Sequence, residues 1–155
     1  MHKIKYNIKI MATQLTKNFT LEELIKSPTA KKHKIDNTPD KNSILNLEKL
    51  AKTILQPIRD KFNAPIYVTS GYRSLLLNKK VGGSPTSQHC KGEAADLKTK
   101  TDSVDDNRAL FNLIKRLIEE GKLTVGQLID EYNYGWVHIS LPTNRHKNEV
   151  LHIRK

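Results

Sequence analysis

Two histidines and one aspartate in this sequence have the types and spacing of a metal site. His89 and Asp96 lie seven positions apart, with a glycine and two alanines between them. The glycine allows a turn, and residues 94–97 predict a short buried strand that carries Asp96. Catalytic zinc takes nitrogen and oxygen ligands, three of them from protein, and leaves a fourth position for water. His138, in the alternating strand-like run Trp136–Ser140, is the candidate for the third ligand.

The His-to-Asp spacing alone is a weak signal, because such pairs are common in loops and at surfaces. The order of the surrounding motifs is more specific. They are Thr-Ser-Gly-Tyr-Arg-Ser at 69–74, Leu-Asn at 77–78, Val-Gly-Gly at 81–83, Ser-x-His-x-x-Gly-x-Ala-x-Asp at 87–96 and Trp-Val-His-Ile-Ser at 136–140. This order resembles the zinc D-Ala-D-Ala carboxypeptidase family of peptidoglycan peptidases, which also includes vancomycin-resistance dipeptidases and many phage endolysins. The resemblance covers about Asn18 to Ser140.

The resemblance implies roles for several residues. The zinc ligands of the family match His89, Asp96 and His138, the same three residues that the residue types and spacing indicate. Arg73 follows a glycine turn at the end of a predicted strand, and its guanidinium can match a carboxylate or a carbonyl with two hydrogen bonds. The matching arginine of the family engages the substrate and stabilises charge on the carbonyl oxygen. Ser87 matches a serine that supports the substrate or the site, and Gln88 is expected beside the metal.

At the general base the sequence departs from part of the family, which places a carboxylate three residues before the last histidine. Gly135 occupies that position here. The nearest carboxylates are Asp130 and Glu131, on the opposite strand of a predicted hairpin. The segment resembles the branch of the family with a longer hairpin, which favours Glu131. Asp130 remains the alternative, since adjacent strand residues face opposite sides and the register is not fixed by sequence.

The single cysteine offers a competing chemistry. Cys90 is adjacent to His89, and a cysteine with histidines nearby could act as a hydrolase nucleophile. Neighbouring residues tend to point apart, so we interpret Cys90 as a small buried residue. The other histidines of interest, His146 and His152, have no evident partner in the sequence and are predicted to be surface residues.

The pattern of apolar residues predicts an α+β fold with a small, mostly antiparallel sheet and two long helices, as the resemblance to hedgehog and D-Ala-D-Ala peptidase-like folds also implies. Helices are predicted over residues 20–25, over 40–62 with a kink near Pro57, and over about 103–120, with a short helix or turn at 73–80. Strands are predicted at 66–69, 94–97, 127–132 and 136–140, with one edge strand at 149–153. Residues 29–39 are predicted to be a loop.

The length of 155 residues fits one domain, predicted over 18–155 after a polar tail at 1–17. No run approaches the roughly 18 apolar residues of a membrane span, and the basic N-terminus lacks the continuous apolar segment of a secretory signal. The protein is therefore expected in the cytoplasm until it is released to the cell wall, with a phage origin suggested by analogy. A lone cysteine excludes an internal disulfide.

The net charge of +11, from 27 Lys and Arg against 16 Asp and Glu, favours anionic partners such as cell-wall polymers, membranes or nucleic acid. No nucleic-acid motif is present, so we expect a peptidoglycan peptide as substrate, zinc as cofactor and a monomer. The hypothesis is a zinc peptidase that cuts stem peptides or cross-links of peptidoglycan. The alternatives are a cysteine hydrolase that uses Cys90 and a non-catalytic basic module that binds cell wall or nucleic acid.

Overall fold

A computed structural model of the chain describes residues 13–154. It is an α+β protein with one five-stranded sheet, and this confirms the predicted fold class. The strands are β1 (Ile66–Ser70), β2 (Ala94–Thr99), β3 (Gln127–Glu131), β4 (Trp136–Ser140) and β5 (Glu149–Ile153). Their spatial order is β1-β2-β4-β3-β5, and every pairing is antiparallel except the parallel pairing of β3 with β5.

Six α-helical segments accompany the sheet within residues 13–154. They are α1 (Leu21–Ile25), α2 (Pro28–Lys32), α3 (Lys41–Leu50), α4 (Gln56–Phe62), α5 (Leu75–Lys80) and α6 (Val104–Glu119). Hydroxyl or carboxylate side chains cap five of them, since each accepts a hydrogen bond from a backbone N–H of the first turn; these residues are Thr20, Ser27, Asp40, Ser74 and Ser103. The segment predicted to be a loop at 29–39 begins with α2, because Ser27 and Pro28 form a favourable helix start.

The helix predicted over 40–62 is continuous but changes its geometry in the middle. Residues Ala51–Leu55 form a π-helical turn between α3 and α4, in which the Gln56 N–H donates to the Ala51 carbonyl, five residues earlier. Pro57 has no N–H to donate and follows directly after this turn. The expected kink is therefore a local widening of the helix, and the apolar stripe on both sides of it stays buried.

The core lies between the helices and one face of the sheet. Alternate strand residues such as Ala95, Leu97, Leu128, Val137 and Ile139 belong to this core, together with the inner faces of α3, α4 and α6. The intervening strand residues face the other side of the sheet, which we call the site face. Because side chains alternate along a strand, Asp96 and His138 lie on the site face.

Both ends of the described chain contact the domain. Residues 1–12 of the predicted tail lie outside the described residues, whereas Gln14 forms a bridge with Thr20 and the Thr16 hydroxyl donates to the Gln56 side chain at 2.7 Å. At the other end, β5 forms the predicted edge strand. Within residues 13–154, no helix is both long and apolar enough to span a bilayer.

Candidate metal centre and its surroundings

Two strand pairings and one helical turn bring the predicted ligands together on the site face. Ser70 lies opposite Asp96, and Asp96 lies opposite His138. His89 comes from the single turn of 3-10 helix at Gln88–Lys91, which precedes β2. His89, Asp96 and His138 are all buried, and each offers one ligand atom within 4.8 Å of the other two.

The turn that carries His89 depends on a glycine. Gly92 has a φ of +72°, and a Cβ at this position would lie 2.4 Å from the Ser43 carbonyl oxygen in α3. Only glycine adopts this conformation at no cost and leaves room for the helix. The turn therefore packs directly against α3, and this fixes the separation of His89 from Asp96.

The neighbours of His89 determine which ring nitrogen donates a hydrogen bond and which one faces the cluster. Nδ1 lies 2.7 Å from the Gly71 carbonyl oxygen, which can only accept, so Nδ1 carries the proton. In a neutral ring Nε2 is then the nitrogen with a free lone pair, and it lies 3.3 Å from Asp96 Oδ1. A hydrogen bond from the second ring nitrogen to a backbone carbonyl is a common way to orient a metal-binding histidine.

His138 is held in a similar way. Its Nε2 lies 3.0 Å from Gln88 Oε1, and its Nδ1 lies 3.1 Å from Asp96 Oδ1. When Gln88 accepts the Nε2 proton, Nδ1 is free and faces Asp96. Gln88, which was expected beside the metal, is therefore in direct contact with one of the candidate ligands.

Asp96 is an ionised carboxylate in this arrangement. Burial alone would raise its pKa, but His89 and His138, when their rings carry the protons that point at Asp96, hold the pKa well below its usual range through charge and hydrogen bonds. A zinc ion would take the place of those protons, since neutral imidazole nitrogens and a carboxylate oxygen are the donor set that Zn²⁺ accepts. The residues thus fit a zinc ion by type and by proximity.

Arg73 lies at the edge of this cluster. Its Nη2 is 3.5 Å from Asp96 Oδ2, and its Nε donates to the Ser70 hydroxyl at 3.1 Å. Asn78, buried behind it, accepts from Arg73 Nη1 at 3.3 Å. A cleft of about 190 Å³ opens beside the arginine, and its walls include Lys26 and Thr29.

The backbone before Arg73 is fixed from several sides. Gly71 lies against α1, where a Cβ would be 2.1 Å from the Leu24 carbonyl oxygen. The Arg73 N–H donates to the His89 carbonyl, and the Asn37 side chain bonds to both Tyr72 and Ser74. The sequence did not indicate a role for Asn37, because it is uncharged and lies in a segment predicted to be a loop. Asn78 was noted in a motif but given no role.

Glu131 and Asp130 lie on opposite faces of β3. Glu131 is opposite Trp136, and Ile129, two residues earlier, is opposite His138, so Glu131 shares the site face. It is half-buried, and burial raises its pKa, with His138 acting in the opposite direction. Asp130 is fully buried on the other face, where it binds the Tyr134 N–H, His152 and Arg154.

Two further predicted residues have local roles. The Ser87 hydroxyl accepts from the His89 N–H at 3.2 Å and so caps the 3-10 turn. Cys90 is half-buried, and burial raises the pKa of its thiol, with Arg73 acting in the opposite direction. A thiol with a raised pKa is protonated at neutral pH and is a weak nucleophile.

His146 and His152, for which the sequence showed no partner, each lie beside a carboxylate. His146 Nδ1 lies 2.9 Å from Glu149 Oε1, and His152 Nδ1 lies 2.9 Å from Asp130 Oδ2. The His152 side chain is nevertheless 45% exposed. Its partner belongs to another strand, so the contact depends on a pairing that the local sequence does not reveal.

A buried cluster of two histidines and an aspartate, with an arginine beside it, defines a candidate metallohydrolase site. The chain belongs to the peptidase M15 family, the zinc D-Ala-D-Ala carboxypeptidase-like peptidases, because the family model described as Peptidase M15 matches residues 17–140. This confirms the resemblance seen in the sequence. No curated protein sequence matches the chain. Membership of this family identifies the protein as a peptidase. The matched segment ends with β4, so β5 lies beyond it.

Proposed function

We propose that this protein is a zinc-dependent peptidase that hydrolyses a peptide bond in the stem peptides or cross-links of bacterial peptidoglycan. The main observation in support is the convergence of His89 Nε2, His138 Nδ1 and Asp96 Oδ1 in a buried position. Peptidase M15 family membership supports the reaction class. The choice among carboxypeptidase, cross-link endopeptidase and L-Ala-D-Glu endopeptidase stays open.

His89, Asp96 and His138 would hold the zinc ion, which would supply a Lewis acid for the scissile carbonyl and for the attacking water. Gly71 and Gln88 keep the two imidazoles oriented and in the protonation state that leaves one nitrogen of each available. Burial of all three side chains excludes bulk water from their contacts, which strengthens the electrostatic interactions in the site.

Glu131 is proposed as the general base. Its carboxylate would accept a proton from the attacking water and transfer it to the nitrogen of the leaving amine. A raised pKa suits this role, because a base whose pKa is closer to neutral also delivers the proton more readily. Asp130 is a weaker candidate, since both of its carboxylate oxygens already accept hydrogen bonds on the core side of the sheet.

Arg73 is proposed to bind the substrate and to stabilise negative charge on its carbonyl oxygen. Its guanidinium lies between the cluster and the cleft lined by Lys26 and Thr29, so one side chain borders both. Asn78 and Ser70 hold the guanidinium in place before substrate arrives, which lowers the cost of ordering it. Ser87 and Gln88 are proposed to line the substrate side of the cluster.

The cell-wall substrate also agrees with the charge of the protein. A net charge of +11 favours association with the anionic polymers of a bacterial wall. We propose that the protein acts on the wall after release from the cytoplasm, as a phage lysin would, and that it works as a monomer without nucleic acid.

The test is incubation of the full-length protein with purified peptidoglycan, followed by mass spectrometry of the released products. We expect peptide-bond cleavage that a chelator abolishes and that added zinc restores. His138→Ala should abolish cleavage, whereas His146→Ala, which removes a histidine distant from the cluster, should retain it. The mass of the products identifies the bond.

Two other outcomes would point to the alternatives. Cleavage that survives the chelator but is abolished by a thiol alkylator and by Cys90→Ser would support a cysteine hydrolase. Binding to sacculi without any released product, unchanged in His89→Ala, would support a non-catalytic binding module. Either result would contradict the proposed function.

A further inference from the structure

The last described strand, β5, contacts the buried carboxylate of Asp130, the residue that directly precedes the proposed base Glu131. Asp130 has no exposed surface, and its Oδ1 accepts from the Tyr134 N–H at 2.6 Å. Its Oδ2 lies 2.9 Å from His152 Nδ1 and 2.7 Å from Arg154 Nη1. A buried carboxylate requires such partners, because an unpaired charge in the core is strongly unfavourable. His152, from β5, and Arg154, directly after it, supply two of these three contacts.

A main-chain contact joins the same two segments on the other side of Glu131. The Tyr132 N–H donates to the Ile153 carbonyl at 2.8 Å, and Glu131 itself is paired with Ile153 in the parallel ladder. Both neighbours of Glu131 in the sequence are therefore anchored to the C-terminal segment. On the core side of the sheet, β5 is stabilised in turn by the packing of the His152 ring, whose centroid lies 5.2 Å from that of Phe111.

The turn after Glu131 needs such support. Tyr132, Asn133 and Tyr134 have φ values of 54°, 57° and 62°, a left-handed conformation that residues other than glycine seldom adopt. Three such residues in succession persist only where surrounding contacts hold them. Ile153 of β5 accepts a hydrogen bond from the first of the three residues, and Asp130, which His152 of β5 contacts, accepts one from the last. β5 therefore supports one end of the turn directly and the other end through Asp130.

We propose that β5 is a positioning element for the proposed general base. His152 and Arg154 fix the Asp130 carboxylate, and Asp130 fixes the end of β3 and the following turn. Glu131 is thereby held on the site face, opposite Trp136 and beside His138. The inference rests on the proposed function of Glu131, and it concerns residues beyond the segment that matches the family. His152 and Arg154 do not touch substrate or metal in this scheme.

The test compares the wild-type protein with the double variant His152→Ala/Arg154→Ala on the peptidoglycan peptide that the wild type cleaves. We expect kcat to fall about 10- to 100-fold, as displacement of a base by about 1 Å does, with KM and zinc affinity close to the wild-type values. The reason is that the three metal ligands and Arg73 lie on other elements. The variant His152→Asn/Arg154→Lys, which keeps a donor at both positions, should recover most of the activity.

A matched control and a second measurement separate positioning from general loss of structure. His146→Ala removes a histidine–carboxylate pair of the same 2.9 Å length in the same C-terminal segment without touching Asp130, and should leave kcat unchanged. Amide hydrogen exchange should accelerate at Tyr132 and Tyr134 in the double variant but not in β2. If the double variant does not fold, Arg154→Ala alone, with a 55% exposed side chain, takes its place.

The outcomes are distinct. A folded variant with wild-type kcat, or one in which kcat and zinc affinity fall together, would overturn the inference while the proposed function stands. A wild-type protein that releases no product would overturn the proposed function, and the positioning role with it.

Discussion

The neighbours of the site residues decide what chemistry each side chain can perform. Gly71 accepts the Nδ1 proton of His89, Gln88 contacts His138, and Asn78 and Ser70 hold Arg73. Of these neighbours, Gln88 alone is proposed to line the substrate side of the cluster, and none of them takes part in the chemical step. Their effect is to fix tautomers and rotamers in advance, so that little reorganisation is needed when a metal and a peptide bind.

The single substitution Glu131→Gln tests whether Glu131 is the general base. The amide has nearly the same size but cannot accept a proton, so we expect kcat to fall about 10²- to 10⁴-fold with zinc affinity unchanged. The measurement is the rate of product release, together with zinc binding followed by competition with a coloured chelator. Glu149→Gln, a change to another half-buried carboxylate of the same sheet, serves as control and should remain active. An active Glu131→Gln enzyme would assign the base to another group.

The elements bring together residues that are far apart in the sequence, and the register of the sheet is the decisive factor. Asp96 lies opposite His138, and Ile129 lies opposite His138 on its other side, which puts Glu131 and not Asp130 on the site face. A shift of one residue in β3 would exchange the two carboxylates. Such a shift is unfavourable because it would break the hydrogen bonds of the Asp130 carboxylate with His152 and Arg154.

Gly92→Ala tests the packing of the turn between two of the predicted ligands. Gly92 and Gly121 have nearly equal φ values, +72° and +70°, but a Cβ meets the Ser43 carbonyl only at Gly92. We expect Gly121→Ala to lower the free energy of unfolding by about 1 kcal/mol, and Gly92→Ala by roughly 2–4 kcal/mol, since steric overlap adds to the backbone cost.

Urea unfolding of the two glycine variants measures this difference. Gly92→Ala should also weaken zinc binding, because the turn carries His89, whereas Gly121→Ala should not. Equal destabilisation of the two variants would show that the backbone conformation alone matters and that the contact with α3 does not.

The sequence was sufficient for those parts of the fold that local patterns determine. The apolar stripe of the long helix and the His89–Asp96 motif are local, and the observed bounds of the predicted helices lie close to the expected ones. The π-helical turn depends on a choice between hydrogen-bond patterns of similar energy, which the sequence does not reveal. For α2 the start signal of Ser27 and Pro28 is local, but the Lys-, Asn- and Pro-rich residues that follow favoured a loop. The choice between Glu131 and Asp130, and the partner of His152, depend on strand pairing between distant segments, which one sequence does not specify.

In the described part of the molecule, a carboxylate buried on the core side of the sheet, Asp130, pairs with His152 and Arg154, and this makes the stability of the fold depend on pH. Burial favours the neutral acid, but hydrogen bonds from His152, Arg154 and the Tyr134 N–H outweigh it and lower the pKa of Asp130 below its usual value. A group whose pKa is lower in the folded state stabilises the fold above its unfolded pKa, about 3.9. That contribution is lost as the pH falls through the folded pKa.

Asp130→Asn tests this linkage. We expect the variant to be less stable than the wild type by about 2–3 kcal/mol at pH 7. The difference should shrink as the pH falls below about 4, where the carboxylate of the unfolded chain binds a proton before that of the folded protein does. Urea unfolding of metal-free protein at several pH values gives the measurement. Asp105→Asn, at an exposed position, should change stability by about 0.5 kcal/mol or less. A gap that is the same at pH 3 and pH 7 would contradict the assignment.

The parallel pairing of β5 with β3 also bears on where the domain can be divided. The family match stops at Ser140, yet a recombinant fragment trimmed there would leave β3 as a bare sheet edge beside an uncompensated buried charge. Exposed edges of this kind template aggregation between chains. Shortened versions of this protein should therefore keep at least Arg154 if they are to remain dispersed at high concentration.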